Sequence, residues 1–191
     1  MAEQVAYVQA YAPRFRLERA ADGGERVVIP ARRNPFVMAF MAVWLCGWTV
    51  GGIAALSSLL VKFVPFVAIW CCGWALGEAF VLASLVWMAV GKESLRVVRG
   101  DLEAAAEIPG FARRRLYRGA EVRDLAASSS PAFPFNRRTD LPLLWQPASG
   151  SVKFTYGART VYAAVGLDEA EGRQIVDWLK TRLPKTAIAK S

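Results

Sequence analysis

Residues 36–61, FVMAFMAVWLCGWTVGGIAALSSLLV, and residues 63–91, FVPFVAIWCCGWALGEAFVLASLVWMAVG, decide the architecture. The first stretch holds no Asp, Glu, Lys or Arg, and the second holds Glu78 alone. At 1.5 Å per residue, a helix of about 26 residues crosses a hydrocarbon core of about 30 Å with some tilt. Pro65 suits the first turn of the second helix, where a missing N–H costs nothing. The spans therefore read as 36–61 and 65–91. Only Val61-Lys62-Phe63-Val64 joins them, so the helices are antiparallel neighbours. A wholly soluble chain is excluded. So is a disordered one, because large apolar residues are plentiful. The first span does not read as a cleavable signal: it starts at Phe36, it is too long for a signal core, and a second span follows.

Inside the spans a pattern repeats. Trp44-Leu45-Cys46-Gly47-Trp48-Thr49-Val50-Gly51 and Trp70-Cys71-Cys72-Gly73-Trp74-Ala75-Leu76-Gly77 share W-x-C-G-W-x-x-G. Each copy carries G-x-x-x-G, the small-residue spacing that lets helix backbones approach closely in lipid. In a hairpin centred on Lys62, Gly47 lies at the depth of Gly77, and Gly51 at the depth of Gly73. These four glycines, with Trp48 and Trp74 beside them, are the expected packing residues of a helix clasp. Alternatively, one ridge closes the hairpin and the other serves a homodimer. Chance is the third reading, since glycine is common in membrane helices.

Glu78 is the one ionisable residue at mid-span, and such a residue is a functional candidate by default. It reads either as a proton or ion site, or as a hydrogen-bonded structural residue that fixes helix register. Trp74 or Trp48 could supply an indole N–H to it. Two helices alone enclose no pore, and no second charge in the spans forms a relay.

The chain carries 24 Lys plus Arg, 16 Asp plus Glu and no His, for a net charge of +8. Histidine acid–base chemistry and imidazole metal ligation are thereby excluded. Residues 1–35 are net +2, residues 36–91 neutral and residues 92–191 net +6. Arg32 and Arg33 precede the first span; Lys92, Arg96 and Arg99 follow the second; only Lys62 lies in the turn. The positive-inside rule places both termini in the cytoplasm. The basic surplus beside a bilayer suits anionic headgroups at about 1 kcal/mol per residue near the surface, or reflects topology and solubility alone.

Cys46, Cys71 and Cys72 lie in the apolar stretches at no zinc spacing, and read as small hydrophobes. No metal site, cofactor site, nucleophile–base pair or phosphate loop appears, so an enzyme is not expected. Ser128-Ser129-Ser130 is a low-complexity stretch.

After the second span the pattern changes to short strands. Ser94–Val98, Leu102–Ile108, Phe111–Tyr117 and Glu121–Ala126 are separated by turn signals at Arg99-Gly100-Asp101 and Pro109-Gly110. Val152–Tyr156 and Arg159–Ala163 flank Gly157-Ala158 as a hairpin. Asp168 caps a helix whose apolar stripe is Ile175, Val176, Leu179 and Leu183, widened by Trp178 and stopped by Pro184. Strands followed by one helix make a small α+β roll or barrel. Residues 128–150, rich in proline and aromatics, form either a docking loop with Arg137 and Arg138 or an incidental insertion.

Arg113, Arg114, Arg115 and Arg118 are the densest basic run. A strand sends Arg113 and Arg115 to one face and Arg114 to the other. Nucleic acid would want stacking aromatics among the charges, and Tyr117 alone is thin support. Headgroup or partner contact by Arg113, Arg115, Arg118, Arg137 and Arg138 fits better. Residues 15–29 look like a hairpin around Asp22-Gly23-Gly24, in an amino-terminal tail of residues 1–35.

The repeat, Gly91-Lys92-Glu93, Phe154-Thr155-Tyr156-Gly157-Ala158-Arg159-Thr160 and Gly166-Leu167-Asp168-Glu169-Ala170-Glu171 resemble a group of bacterial inner-membrane proteins of uncharacterised function. In these, two transmembrane helices precede a cytoplasmic pleckstrin-homology-like (PH-like) domain. The resemblance covers about residues 26–183 and implies a bent β-barrel closed by a carboxy-terminal helix. It carries no catalytic residue and no ligand. The expected organisation is then a tail at 1–35, a transmembrane hairpin at 36–91, a PH-like domain at 92–184 and a tail at 185–191. The expected function is a membrane-anchored scaffold with a protein partner. The alternative is a subunit of a transport or channel assembly that uses Glu78.

Overall fold

The structure, a computed structural model, describes residues 12–20, 23–129, 147 and 149–187. Two long apolar helices, α1 (Pro35–Val61) and α2 (Pro65–Val90), stand as an antiparallel pair. Asn34 caps α1 by accepting from the Val37 N–H at 3.2 Å, and Pro35 fills its first turn. Pro65 opens α2 in the same way. At 27 and 26 residues, each helix is about 40 Å long. Both are long and apolar enough to cross a membrane. Their outward surfaces are made of large apolar side chains, among them Phe36, Ile53, Leu60, Phe66 and Leu76.

The remaining elements build a β-domain. Its first sheet is antiparallel in the order β1 (Arg16–Arg19), β2 (Glu25–Pro30), β3 (Lys92–Val98), β4 (Asp101–Ile108), β5 (Phe111–Tyr117). The second sheet is β6 (Val122–Ala127), β7 (Val152–Tyr156), β8 (Arg159–Ala163). The helix α3 (Glu169–Lys180) follows, held at its start by a capping box between Asp168 and Glu171.

Strand alternation sorts the side chains. Val27, Ile29, Leu95, Leu102 and Tyr117 face inward from the first sheet; Val122, Val152, Phe154 and Val161 face inward from the second. The stripe Ile175, Val176 and Leu179 of α3 fills the space beside them. Tyr117 sits at the seam of the sheets, edge-on to Phe154 at 5.1 Å and to Tyr156 at 5.2 Å. The Tyr156-to-Arg159 turn closes through Gly157 at φ +59°, a conformation that costs a β-carbon residue but not glycine.

One expectation changes here. The hairpin at 15–29 forms, as β1 and β2, and these two strands belong to the first sheet of the β-domain. Strand β2 pairs directly with β3, from Arg26 opposite Arg96 to Pro30 opposite Lys92. The two helices are thus inserted between neighbouring strands of one sheet. Sequence neighbours conceal this, because the pairing partners flank the whole helical hairpin. The ladder extends to an Ala31 N–H donating to the Gly91 carbonyl at 2.9 Å. Trp87 of α2 is buried against Ala106 of β4, with Ala31, Phe80 and Ile108 packed around them, so the helix pair is seated on the sheet.

Candidate functional site

The contact between α1 and α2 is not the expected glycine clasp. A β-carbon added to Gly47, Gly51, Gly73 or Gly77 would meet nothing within 4 Å. The glycine that matters is Gly52: the Trp74 ring lies directly on it and leaves no room for a methyl group. The Trp74 indole N–H donates to the Trp48 carbonyl at 3.1 Å. Trp48 and Gly52 are one helical turn apart, so Trp74 sits between them at the depth that hairpin symmetry implies. The depth expectation was sound and the rotation was not. An indole ring buries more apolar surface against a glycine slot than two glycines bury against each other.

Rotating the clasp away exposes its glycines on another face. Gly47 and Gly51 floor an open groove of about 400 Å³ walled by Val43, Trp44, Trp48, Trp70 and Trp74. Trp44 and Trp48 stack there at 4.6 Å.

Glu78 does not take an indole N–H. Its Oε1 lies 2.6 Å from the Thr49 hydroxyl oxygen, across the helix interface. Thr49 Oγ1 also lies 2.8 Å from the Leu45 carbonyl of its own helix. Glu78 Oε2 and Trp48 Nε1 are buried and have no hydrogen-bond partner among the described residues. Thr49 and Glu78 therefore form a polar bridge between the two helices, at their mid-length. Thr49 and Gly52 carry this contact, and both lie within or beside the quoted repeat; their polarity and smallness were visible, their facing direction was not.

The basic residues do not converge. Arg113 and Arg115 share the inward face of β5, whereas Arg114 points outward, 3.8 Å from Glu103. Arg115 borders a small cleft with Glu93, Tyr117 and Tyr162. Burial lowers its guanidinium pKa from the ordinary arginine value, opposed by Tyr117 and Glu93. Burial raises the Tyr117 phenol, with Arg115 opposing. Arg118 is exposed and lies 3.6 Å from Glu121. Arg137 and Arg138 lie outside the described residues. The split of Arg113 and Arg115 from Arg114 is the one that strand alternation predicts, and Arg118 stands apart because β5 ends at Tyr117.

Three groups of charged contacts carry no local sign in the sequence. The outward face of the first sheet carries a cross-strand ion ladder: Glu18–Arg26 at 3.1 Å, Arg26–Glu107 at 3.6 Å, Lys92–Glu107 at 3.7 Å and Arg96–Glu103 at 2.9 Å. Glu93, buried on the inward face of β3, accepts from the Ala164 N–H at 3.1 Å and the Val165 N–H at 3.4 Å, tying the first sheet to the loop before α3. Arg14 binds the buried Glu171 carboxylate through its backbone N–H at 2.7 Å and its Nη2 at 2.6 Å. Burial alone would raise the Glu171 carboxyl, but the hydrogen bonds from Arg14 and Asp168 outweigh it and hold the group below its ordinary value. Each joins residues on different strands or far apart in sequence, which only the folded chain brings together.

Among the described residues no group of three or more His, Cys, Asp or Glu is placed to hold a metal ion. Comparison of the chain with protein-family models, curated proteins and solved structures finds no match.

Proposed function

We propose that the chain is an anchored interaction module of the bacterial inner membrane. The helices α1 and α2 cross the bilayer, both termini lie in the cytoplasm, and the β-domain is a PH-like module held on the inner leaflet for a protein partner. Anionic lipid contributes through the basic surplus of residues 92–191. The observation that carries this reading is the β2–β3 ladder. It joins Ala31, shortly before α1, to Gly91, the residue after α2, so both flanks of the helix pair stand at one end of it. Apolar outward helix faces and a compact domain directly beneath them suit an anchor. Two packed antiparallel sheets with a carboxy-terminal helix suit a PH-like domain.

The test is crosslinking of the full chain in native membranes, followed by affinity purification and identification of what is joined to it. A defined protein recovered through residues of the β-domain supports the module. Recovery only of other membrane-spanning subunits joined through α1 and α2, with proton or solute flux in reconstituted vesicles, supports the transport assembly instead.

A further inference from the structure

We propose that the β4–β5 turn, Ile108-Pro109-Gly110-Phe111, is a second, interfacial anchor seated in the lipid leaflet beside α2. The inference rests on the reading that α1 and α2 cross the bilayer. Pro30, Lys92, Glu107 and Ala112 form one rung across β2, β3, β4 and β5. The next rung toward the helices is Ala31–Gly91 on one side and Ile108–Phe111 on the other. The turn therefore stands level with Gly91, where α2 ends, and no further from the bilayer than that end of the helix.

Its chemistry fits that depth. Ile108 packs against the cluster of Trp87 and Ala106, which binds the turn to the last turns of α2. Phe111 is 55% exposed, and Pro109 and Gly110 are exposed beside it. Gly110, at φ +83°, makes the tight reversal that presents the tip. Arg32 and Arg33, exposed between the Ala31–Gly91 rung and α1, put two basic side chains close to this level, suited to headgroups. An aromatic flanked by basic residues at the leaflet boundary buries its ring while the charges stay in the headgroup layer. The bilayer itself, rather than a soluble partner, is the occupant, because the helix ends hold this edge of the sheet against it.

Leu116 supplies an internal control. It lies on the same strand with 59% exposure, but five residues further along, about 17 Å from Phe111. The experiment places the photoreactive residue p-benzoylphenylalanine at position 111, 116 or 53 of the full chain in phospholipid nanodiscs and measures lipid acyl-chain adducts by mass spectrometry. Position 53 faces outward on α1 and reports on membrane crossing itself. Adducts at 53 and 111, several-fold above those at 116, support the anchor. Adducts at 53 with none above the 116 level at 111 overturn it while leaving membrane crossing intact. Adducts at none of the three positions overturn both.

Discussion

Pro30 stands opposite Lys92 in the β2–β3 ladder, although both long helices lie between them in the chain. Beyond that pair, the Ala31 N–H donates to the Gly91 carbonyl at 2.9 Å, so the ladder closes where the helices leave. The helix pair occupies the place of an ordinary hairpin turn in an otherwise continuous sheet. Gly91 is required at the junction, because a β-carbon there would collide with Trp87.

The insertion has a direct consequence for soluble fragments. Residues 92–191 alone lack β1 and β2, and with them the fully buried Val27 and Ile29, whose burial contributes about 1.5–3 kcal/mol each. We expect that fragment to aggregate. A chain in which residues 32–90 are replaced by a short Asn-Gly turn retains every strand, and we expect it to be soluble without detergent and to unfold cooperatively. Circular dichroism and thermal melting of the two proteins side by side decide the matter; a stable, cooperative 92–191 fragment contradicts the single-sheet account.

The helix contact makes opposite expectations for neighbouring glycines. Gly52→Ala places a methyl group inside the Trp74 ring position, an overpacking that costs about 1–3 kcal/mol. Gly47→Ala and Gly73→Ala meet open space, and stay within about 0.5 kcal/mol of the parent. Unfolding of the detergent-solubilised protein, followed by tryptophan fluorescence, measures all three. Loss of a dimer on Gly47→Ala without loss of helix-pair stability would assign the open ridge to a second copy.

Much of this architecture was legible. Hydropathy marks both helices, since an apolar run of that length has few other uses. Alternation and turn residues mark β3 to β8 nearly residue for residue, and Asp168 marks the start of α3. Rotation and long-range pairing were not legible. The W-x-C-G-W-x-x-G repeat shows which residues lie at equal depth, but a helix with no polar stripe carries no sign of which side meets its neighbour. Gly52 and Trp74 won that contact over the two G-x-x-x-G ridges. The β2–β3 pairing joins residues on either side of both long helices, and the Arg14–Glu171 contact joins residues separated by most of the chain, where no local pattern reports.

Thr49 and Glu78 separate the two functional readings. In an anchor, Glu78→Gln keeps an interhelical hydrogen bond to Thr49, so partner recovery is unchanged. Thr49→Val removes the bond and costs about 0.6 kcal/mol, the average for such contacts between membrane helices. In a proton-coupled assembly, Glu78→Gln abolishes flux. Pulldown and vesicle flux on the same two variants show which role the carboxyl has.

The Arg14–Glu171 contact sets a pH dependence. Folding lowers the Glu171 pKa, because Arg14 and the Asp168 N–H hold the carboxylate. The native state therefore binds this proton less readily than the unfolded chain does. Stability from the contact is fully present above the unfolded carboxylate pKa of about 4.3 and is lost as pH falls through the lower, folded value. Glu171→Gln removes charge-assisted hydrogen bonds and costs about 1–3 kcal/mol at neutral pH. Because Arg14 is shared by Asp168 at 3.6 Å, Arg14→Ala affects both acids and exceeds Glu171→Gln in its loss at neutral pH. Melting temperatures of the parent and Glu171→Gln, taken from pH 7 down to pH 3, test the assignment: the two curves converge toward acid pH if Glu171 is the titrating group, and run parallel if it is not.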